Sequence, residues 1–284
     1  MLISQDITTI QIGHTMSDHN VKSLTTEDYN ALYEAYNLLE SETLTDKMSH
    51  LLGGPIEDGL KKLPMKVQDK VNVITKKSLQ QCLNAALHTL DHKPTSKKPS
   101  NFMHKTLVAS TGVAGGLFGI AGLAVELPIS TGIMFRSIAD IARSQGEDLD
   151  DAQSALACLE VFALGGPSPD DDGGETAYFA VRTMLARLVT EASEHLASKV
   201  VSKEGAPVLL RLITVIAERF SIQITEKVAS QLVPAIGAIG GGVINTLFMD
   251  HFQSKAQGHF TVRRLERKYT AALIQEVYQS FKAI

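Results

Sequence analysis

Glu126 is the carboxylate whose neighbours most invite chemistry. It closes an apolar, glycine-laden run, "GVAGGLFGIAGLAVELP" at residues 112–128, and stands two positions before Pro128. The residue before a proline is pushed out of the helical region. The spacing therefore predicts a break at Leu127, a new helix opening at Pro128, and Glu126 at the corner between two helices. A carboxylate at such a corner either accepts hydrogen bonds from the free N–H groups opening the next helix or serves as a functional acid or base. The residues leave both readings open.

Other reactive side chains are less persuasive. Arg136, Asp140 and Arg143 recur at i, i+4 and i+7, a polar stripe that makes a local ion-pair ladder or an anion site. "HTLDH" sets His88 and His92 four residues apart, a spacing that can hold a metal from one helix face, with Asp91 nearby. With no third ligand and no His-Glu-x-x-His motif, this pair reads as a solvated helix end. His251 and His259, beside Asp250, receive the same reading. The three acids at 170–172 miss calcium-loop spacing and read as helix-initiating charge. Cys82 and Cys158 fall on apolar helical faces as small core residues. Arg263, Arg264, Arg267 and Lys268 form a basic cluster, suited to lipid headgroups or to a solvated face salt-bridged with Glu266. No Gly-x-Ser-x-Gly elbow occurs. Neither glycine-rich stretch carries the lysine of a phosphate-binding loop. No cofactor and no metal are expected.

The elements that must position these groups are helical. Thr26 starts a helix with acids in its first turn, and Leu32, Tyr36 and Leu39 recur along it. Pro64 opens another, striped by Val67, Val71, Ile74, Cys82, Leu83, Ala86, Leu87 and Leu90 at a period of about 3.6. Residues 91–101, "DHKPTSKKPSN", read as a linker. Beyond it come the glycine run, the helix from Pro128 to a stop at Gly146, and helices striped by Tyr178, Val181, Leu185, Leu188, Ala192 and Leu196 and, last, by Leu265, Tyr269, Leu273, Val277 and Phe281. A long stretch from Val208 is interrupted near Pro234. No series of β-branched strands alternates with helices, so the expected class is all-α, a multi-helix bundle. The expected units are a tail or short strand at 1–24, a helical region at 25–92, a linker at 93–100 and a helical core at 101–284.

The glycines have a packing logic. Gly112, Gly115, Gly119 and Gly122 share one helix face, and each costs roughly 0.8–1 kcal/mol against alanine. Close approach of a second helix offsets that cost. The natural partner is the stretch with Gly237, Gly240, Gly241 and Asn245, so the two segments are expected to cross closely at the centre. Residues 106–125 carry no charge, and Lys93, Lys97, Lys98 and Lys105 lie upstream. That pattern suits a buried hairpin, or attachment to an anionic membrane surface.

Composition narrows the function classes. The 284 residues are 44% hydrophobic and 20% charged, with no tryptophan and a net charge of -4. A pI near 6.1 argues against general nucleic-acid binding. Two cysteines make no disulfide framework, which suits a reducing compartment. The first residues lack a basic segment followed by an apolar one, so no secretory leader is expected.

"GLFGIAGLAVELPISTGIMFRSIADIARSQGEDL" and "VPAIGAIGGGVINTLFMDHFQSKAQGHFTVRRLERKY" together resemble the EcsC family. The resemblance rests on the glycine run, Glu126, Pro128, Ile138, Ala139, Ile141, Ala142, Gly146, Pro234, Gly237, Gly240, Asn245, Phe260, Arg264, Leu265 and Tyr269, and spans about residues 65–284. It implies a helical bacterial protein, cytoplasmic or peripheral to the inner membrane face, in a family named after a gene beside an ABC transporter. It carries over no catalytic set. The expectation is a non-enzymatic module that meets a membrane surface or lipid, or a transporter. A hydrolase using Glu126 with a histidine or metal is the alternative.

Overall fold

The structure, a computed structural model, describes residues 24–52, 63–88, 101–166, 176–197, 206–230 and 241–283. The tail at 1–23, the linker at 93–100 with His92, and the stretch with Pro234, Gly237 and Gly240 lie outside the described residues. So do the side chains of His88 and of residues 101–121. Within the description every regular element is helical: α1 (Thr26–Leu39), α2 (Leu44–Leu52), α3 (Met65–His88), α4 (Asn101–Ser144), α5 (Ala152–Glu160), α6 (Ala177–Ala197), α7 (Ala206–Ser230), α8 (Gly241–Lys268) and α9 (Ala271–Ser280). The all-α expectation holds.

The expected break at Leu127 is absent. α4 runs unbroken for 44 residues with Pro128 inside it. A proline in a helix interior leaves the carbonyl four residues earlier without its donor. That carbonyl belongs to Ala124, an exposed residue, so water can take the bond. Around the proline, Leu123, Leu127, Ser130 and Thr131 are all buried. Tertiary packing thus overrides the local preference, as it commonly does. The expected last helix, by contrast, is two. α8 stops at Lys268, and the Thr270 side chain caps α9 by accepting from the Leu273 N–H at 3.2 Å.

Turns stop where glycine permits. Gly146 and Gly165 adopt φ of 82° and 74°, the left-handed region that L side chains avoid. They end α4 and the short 3-10 turn at Val161–Ala163 that follows α5.

α4 and α8 form the most extensive helix pair. Their polar contacts fix its direction. Glu126 meets Asn245, Ser137 meets Gln253, Glu147 meets Arg263 and Gln145 meets Arg264, at separations of 119, 116, 116 and 119 residues. A constant separation means that the two helices run parallel. α1 lies on α8 in the opposite sense, with Asp28 beside Lys268 and the Leu38 carbonyl beside Lys255. The closest approach falls at Gly258, where an added Cβ would stand 2.6 Å from Leu39 Cγ and 3.0 Å from the Ala35 carbonyl oxygen. One apolar cluster extends from Leu32 to Phe281. Its centre holds Phe162, Phe220, Phe248 and Phe252 in tilted and edge-to-face contacts.

Candidate functional site

Glu126 projects from mid-α4 into the junction with α7 and α8. Its Oε1 accepts from Lys227 Nζ at 2.8 Å and from Asn245 Nδ2 at 3.2 Å, and all three side chains are buried. The ammonium also lies 5.3 Å from the centre of the Phe248 ring. Glu126 is therefore no corner residue capping a Pro128 helix. It is one half of an ion pair sealed between three helices. Burying two charges costs several kcal/mol each, and a short, hydrogen-bonded pair is what makes such burial tolerable.

The basic cluster at the end of α8 is committed within the protein. Arg263 donates to both oxygens of Glu147 at 3.0 Å, Arg267 joins the same carboxylate, and Ser154 Oγ donates to it at 2.7 Å. Burial works against ionisation of Glu147, but these partners overcome it and hold its carboxyl below the usual range. Lys268 and Tyr269 donate to Asp28, and Arg264 stands 3.8 Å from it. Asp28 is likewise shifted down, its burial outweighed by the bonds from Lys268, Tyr269 and Thr25. Glu266, the expected local partner, pairs instead with Arg182 of α6 at 2.7 and 3.1 Å. Of the polar stripe on α4, Arg143 bonds Asp140 at 2.8 Å and Arg136 is exposed.

The histidines of α8 depart from expectation. His251 and His259 are buried, not a solvated helix end. α1, α2 and the 3-10 turn at Val161–Ala163 pack along α8, and Glu160 and Tyr178 reach His259 from α5 and α6. Burial pushes both imidazoles well below the ordinary value, helped at His251 by Lys255 and Lys47, and at His259 by Arg182 and Arg263. His259 Nδ1 lies 3.1 Å from Tyr178 Oη, and its Nε2 lies 3.9 Å from Glu160. Burial raises the Glu160 carboxyl, Arg182 and Arg263 resist, and Glu266 and Glu147 reinforce the rise. Glu160, His259 and Tyr178 thus form a buried polar cluster in which burial disfavours the charged form of each. Lys255 donates to the carbonyls of Leu38 and Leu39 at 2.9 and 2.8 Å, closing the end of α1, and burial lowers its amine to about 8.

A cleft of about 160 Å³ lies beside this core, bordered by Glu40, Ser41, Thr43, Gly165, Gly166 and Tyr178. Its acid is already engaged, since Glu40 Oε1 accepts from the Tyr178 N–H at 3.3 Å and from Tyr278 Oη at 3.0 Å. Burial raises the Cys82 thiol to about 12 and the Cys158 thiol further, so both stay protonated and inert. Among the described residues no group of three or more His, Cys, Asp or Glu is disposed to hold a metal.

Lys227, Glu147, Asp28, Arg182 and Glu160 went unnoticed in the sequence as partners. Each pairs across 84 to 240 residues or sits inside an apolar helix, where local spacing carries no signal. The one available hint was symmetry. Glu126 ends one uncharged run, and Lys227 precedes the other.

This combination defines an all-α protein organised on two parallel, glycine-containing helices, the first of which is tied by a buried ion pair to a third helix. The EcsC protein family model matches residues 20–265, and the chain belongs to the EcsC family. The match begins well before residue 65, so α1 and α2 are part of the family unit, in keeping with the Asp28 contacts. Comparison with curated proteins and with solved structures finds no match.

Proposed function

We propose that this EcsC-family protein is a non-enzymatic helical module that works at the cytoplasmic face of the membrane by contacting lipid. The observation that carries the reading is the uncharged run 106–125 on α4, with Lys93, Lys97, Lys98 and Lys105 ahead of it. An apolar helical segment beside a cluster of lysines is the pattern of a surface-attached protein on anionic lipid. Among the described residues no helix is long and apolar enough to cross a membrane, which favours attachment over spanning. The engagement of Glu126, Glu147, Asp28 and Glu40 in internal bonds favours a structural role for these carboxylates over a hydrolytic one.

Sedimentation with vesicles tests this. The purified protein should pellet with vesicles rich in anionic phospholipid, less so with zwitterionic ones, and less as salt screens the lysines. Leu117→Asp with Ile120→Asp should abolish pelleting while the helical far-UV spectrum persists. Failure to pellet with any vesicle overturns the reading. Binding to native membranes but not to protein-free vesicles would replace lipid with a membrane protein, such as a transporter, as the partner.

A further inference from the structure

We infer that the outer face of α3 is a docking surface for the anionic headgroups of a bilayer, made by the lysine stripe Lys66, Lys70 and Lys77. This rests on the membrane reading above and names a surface that carries it out.

α3 turns one side to the protein and the other to solvent. Val67, Val71, Leu79, Cys82, Leu83 and Ala86 are buried, and the helix packs on α4, α7 and α5. At 3.6 residues per turn, Lys66, Lys70, Val73 and Lys77 fall within about 60° of one another on the opposite side, along about 16 Å of helix. All four are exposed, and Lys76 flanks them half-buried.

The charge on this face is unspent. α3 holds four lysines against one carboxylate, Asp69, in a chain whose net charge is -4. Among the described residues none of the four makes a hydrogen bond or an ion pair. The cations at the end of α8, by contrast, are taken up by Glu147, Asp28 and Gln145. Nor does α3 itself gain from its lysines. Lys66 and Lys70 stand at i, i+4, the spacing at which like charges weaken a helix, and Lys77 has Val73 and Gln81 at that distance. A face that only keeps the protein soluble mixes both signs, as α6 does with Arg187 and Glu191.

An exposed stripe of one sign is complementary to an anionic surface, and its chemistry favours lipid. An ammonium is a compact charge on a flexible stem, which adapts to phosphates that keep no fixed positions. A carboxylate held in place on a protein is matched better by the rigid fork of arginine, and α3 has none. Val73, 62% exposed and in line with the lysines, is placed to enter the headgroup layer. Each lysine near an anionic bilayer adds about fivefold to affinity, so the three contribute on the order of 100-fold.

Titration with vesicles of phosphatidylglycerol and of phosphatidylcholine tests the surface. Lys66→Gln, Lys70→Gln and Lys77→Gln together remove three charges from exposed positions where glutamine is an equally good helix former. Arg136→Gln, Arg187→Gln and Arg211→Gln together remove three charges from exposed positions on α4, α6 and α7. The α3 variant should lose affinity for phosphatidylglycerol vesicles on the order of 100-fold and most of its salt dependence. The arginine variant should lose far less. If the α3 variant binds as the wild type does, or both variants lose affinity equally, the inference is wrong and the membrane reading stands. If the α3 lysines are needed on native membranes but the wild type ignores protein-free vesicles, the partner is an acidic protein and the lipid assignment is overturned. If the wild type binds neither, the membrane reading itself fails.

Discussion

Glu126 and Lys227 form a buried ion pair in which each charge offsets the cost of burying the other. Replacing Glu126 with glutamine keeps an acceptor for Asn245 but takes from the buried Lys227 ammonium the carboxylate it pairs with at 2.8 Å. Glu126→Gln should therefore cost about 3–5 kcal/mol. The double variant Glu126→Leu with Lys227→Met, which removes both charges at similar volume, should recover most of that loss. Urea denaturation of the two variants decides; a double variant as weak as the single would mean that the pair is not the source of the cost. The buried histidines set the acid side of stability. His251 and His259 stay neutral when folded, whereas an unfolded histidine takes up a proton near 6.5. The unfolded state then binds more protons, so stability falls as pH drops below about 6.5, by at most ~1.4 kcal/mol per pH unit for each histidine. Asp28 and Glu147, with lowered folded values, extend the loss further into acid. Neither ring nitrogen of His251 has a protein partner among the described residues. His251→Leu should thus keep the neutral-pH midpoint and flatten the pH 6.5 to 5 slope by about one proton, measured by urea titration at each pH. An unchanged slope would show that His251 does not titrate on unfolding. Glu126 stood out in the sequence, but its partners did not, because a contact spanning 101 residues has no period.

At the scale of elements, the helices were legible and one boundary was misplaced for a physical reason. The stripes at Val67–Ala86 and Tyr178–Leu196 carry the 3.6-residue repeat, and those helices form as expected. Pro128 signals a stop only in an isolated chain. In the protein, burial of Leu127, Ser130 and Thr131 outweighs it. Since the proline contributes no bond, Pro128→Ala should stabilise the protein by about 1–3 kcal/mol. A lower melting temperature for that variant would mean that the ring or the missing bond serves another purpose. The glycine whose packing role is visible is Gly258, a single glycine between Gln257 and His259 that drew no attention in the sequence. Gly258→Ala should cost about 1–3 kcal/mol, because the methyl would press on the backbone of α1 at Ala35. A neutral result would require α1 to shift away, which a loss of protection of its amides in hydrogen exchange would reveal.

Across the whole molecule, several of the long helices finish on a basic side chain, Arg143 on α4, Lys227 on α7, and Arg267 and Lys268 on α8. Peptide dipoles leave the start of a helix partly positive and its finish partly negative. Parallel neighbours such as α4 and α8 add these fields where antiparallel ones cancel them. At the finish of α8 stand Arg267 and Lys268, and Arg267 also donates to the carbonyl of Gln145 just past α4, at 2.8 Å. Lys227 falls in the last turn of α7, while Glu126 faces Asn245 in the opening turns of α8. The buried pair is thus polarised as well as paired, each charge lying against the helix end that welcomes it. Exchanging the two, Glu126→Lys with Lys227→Glu, would preserve their mutual attraction and place both against the wrong ends. Each such placement contributes about 0.3–2 kcal/mol, so the exchanged protein should melt below the wild type even though the pair is formally intact. Equal stability would mean that the junction responds to attraction alone and is indifferent to the direction in which its helices run.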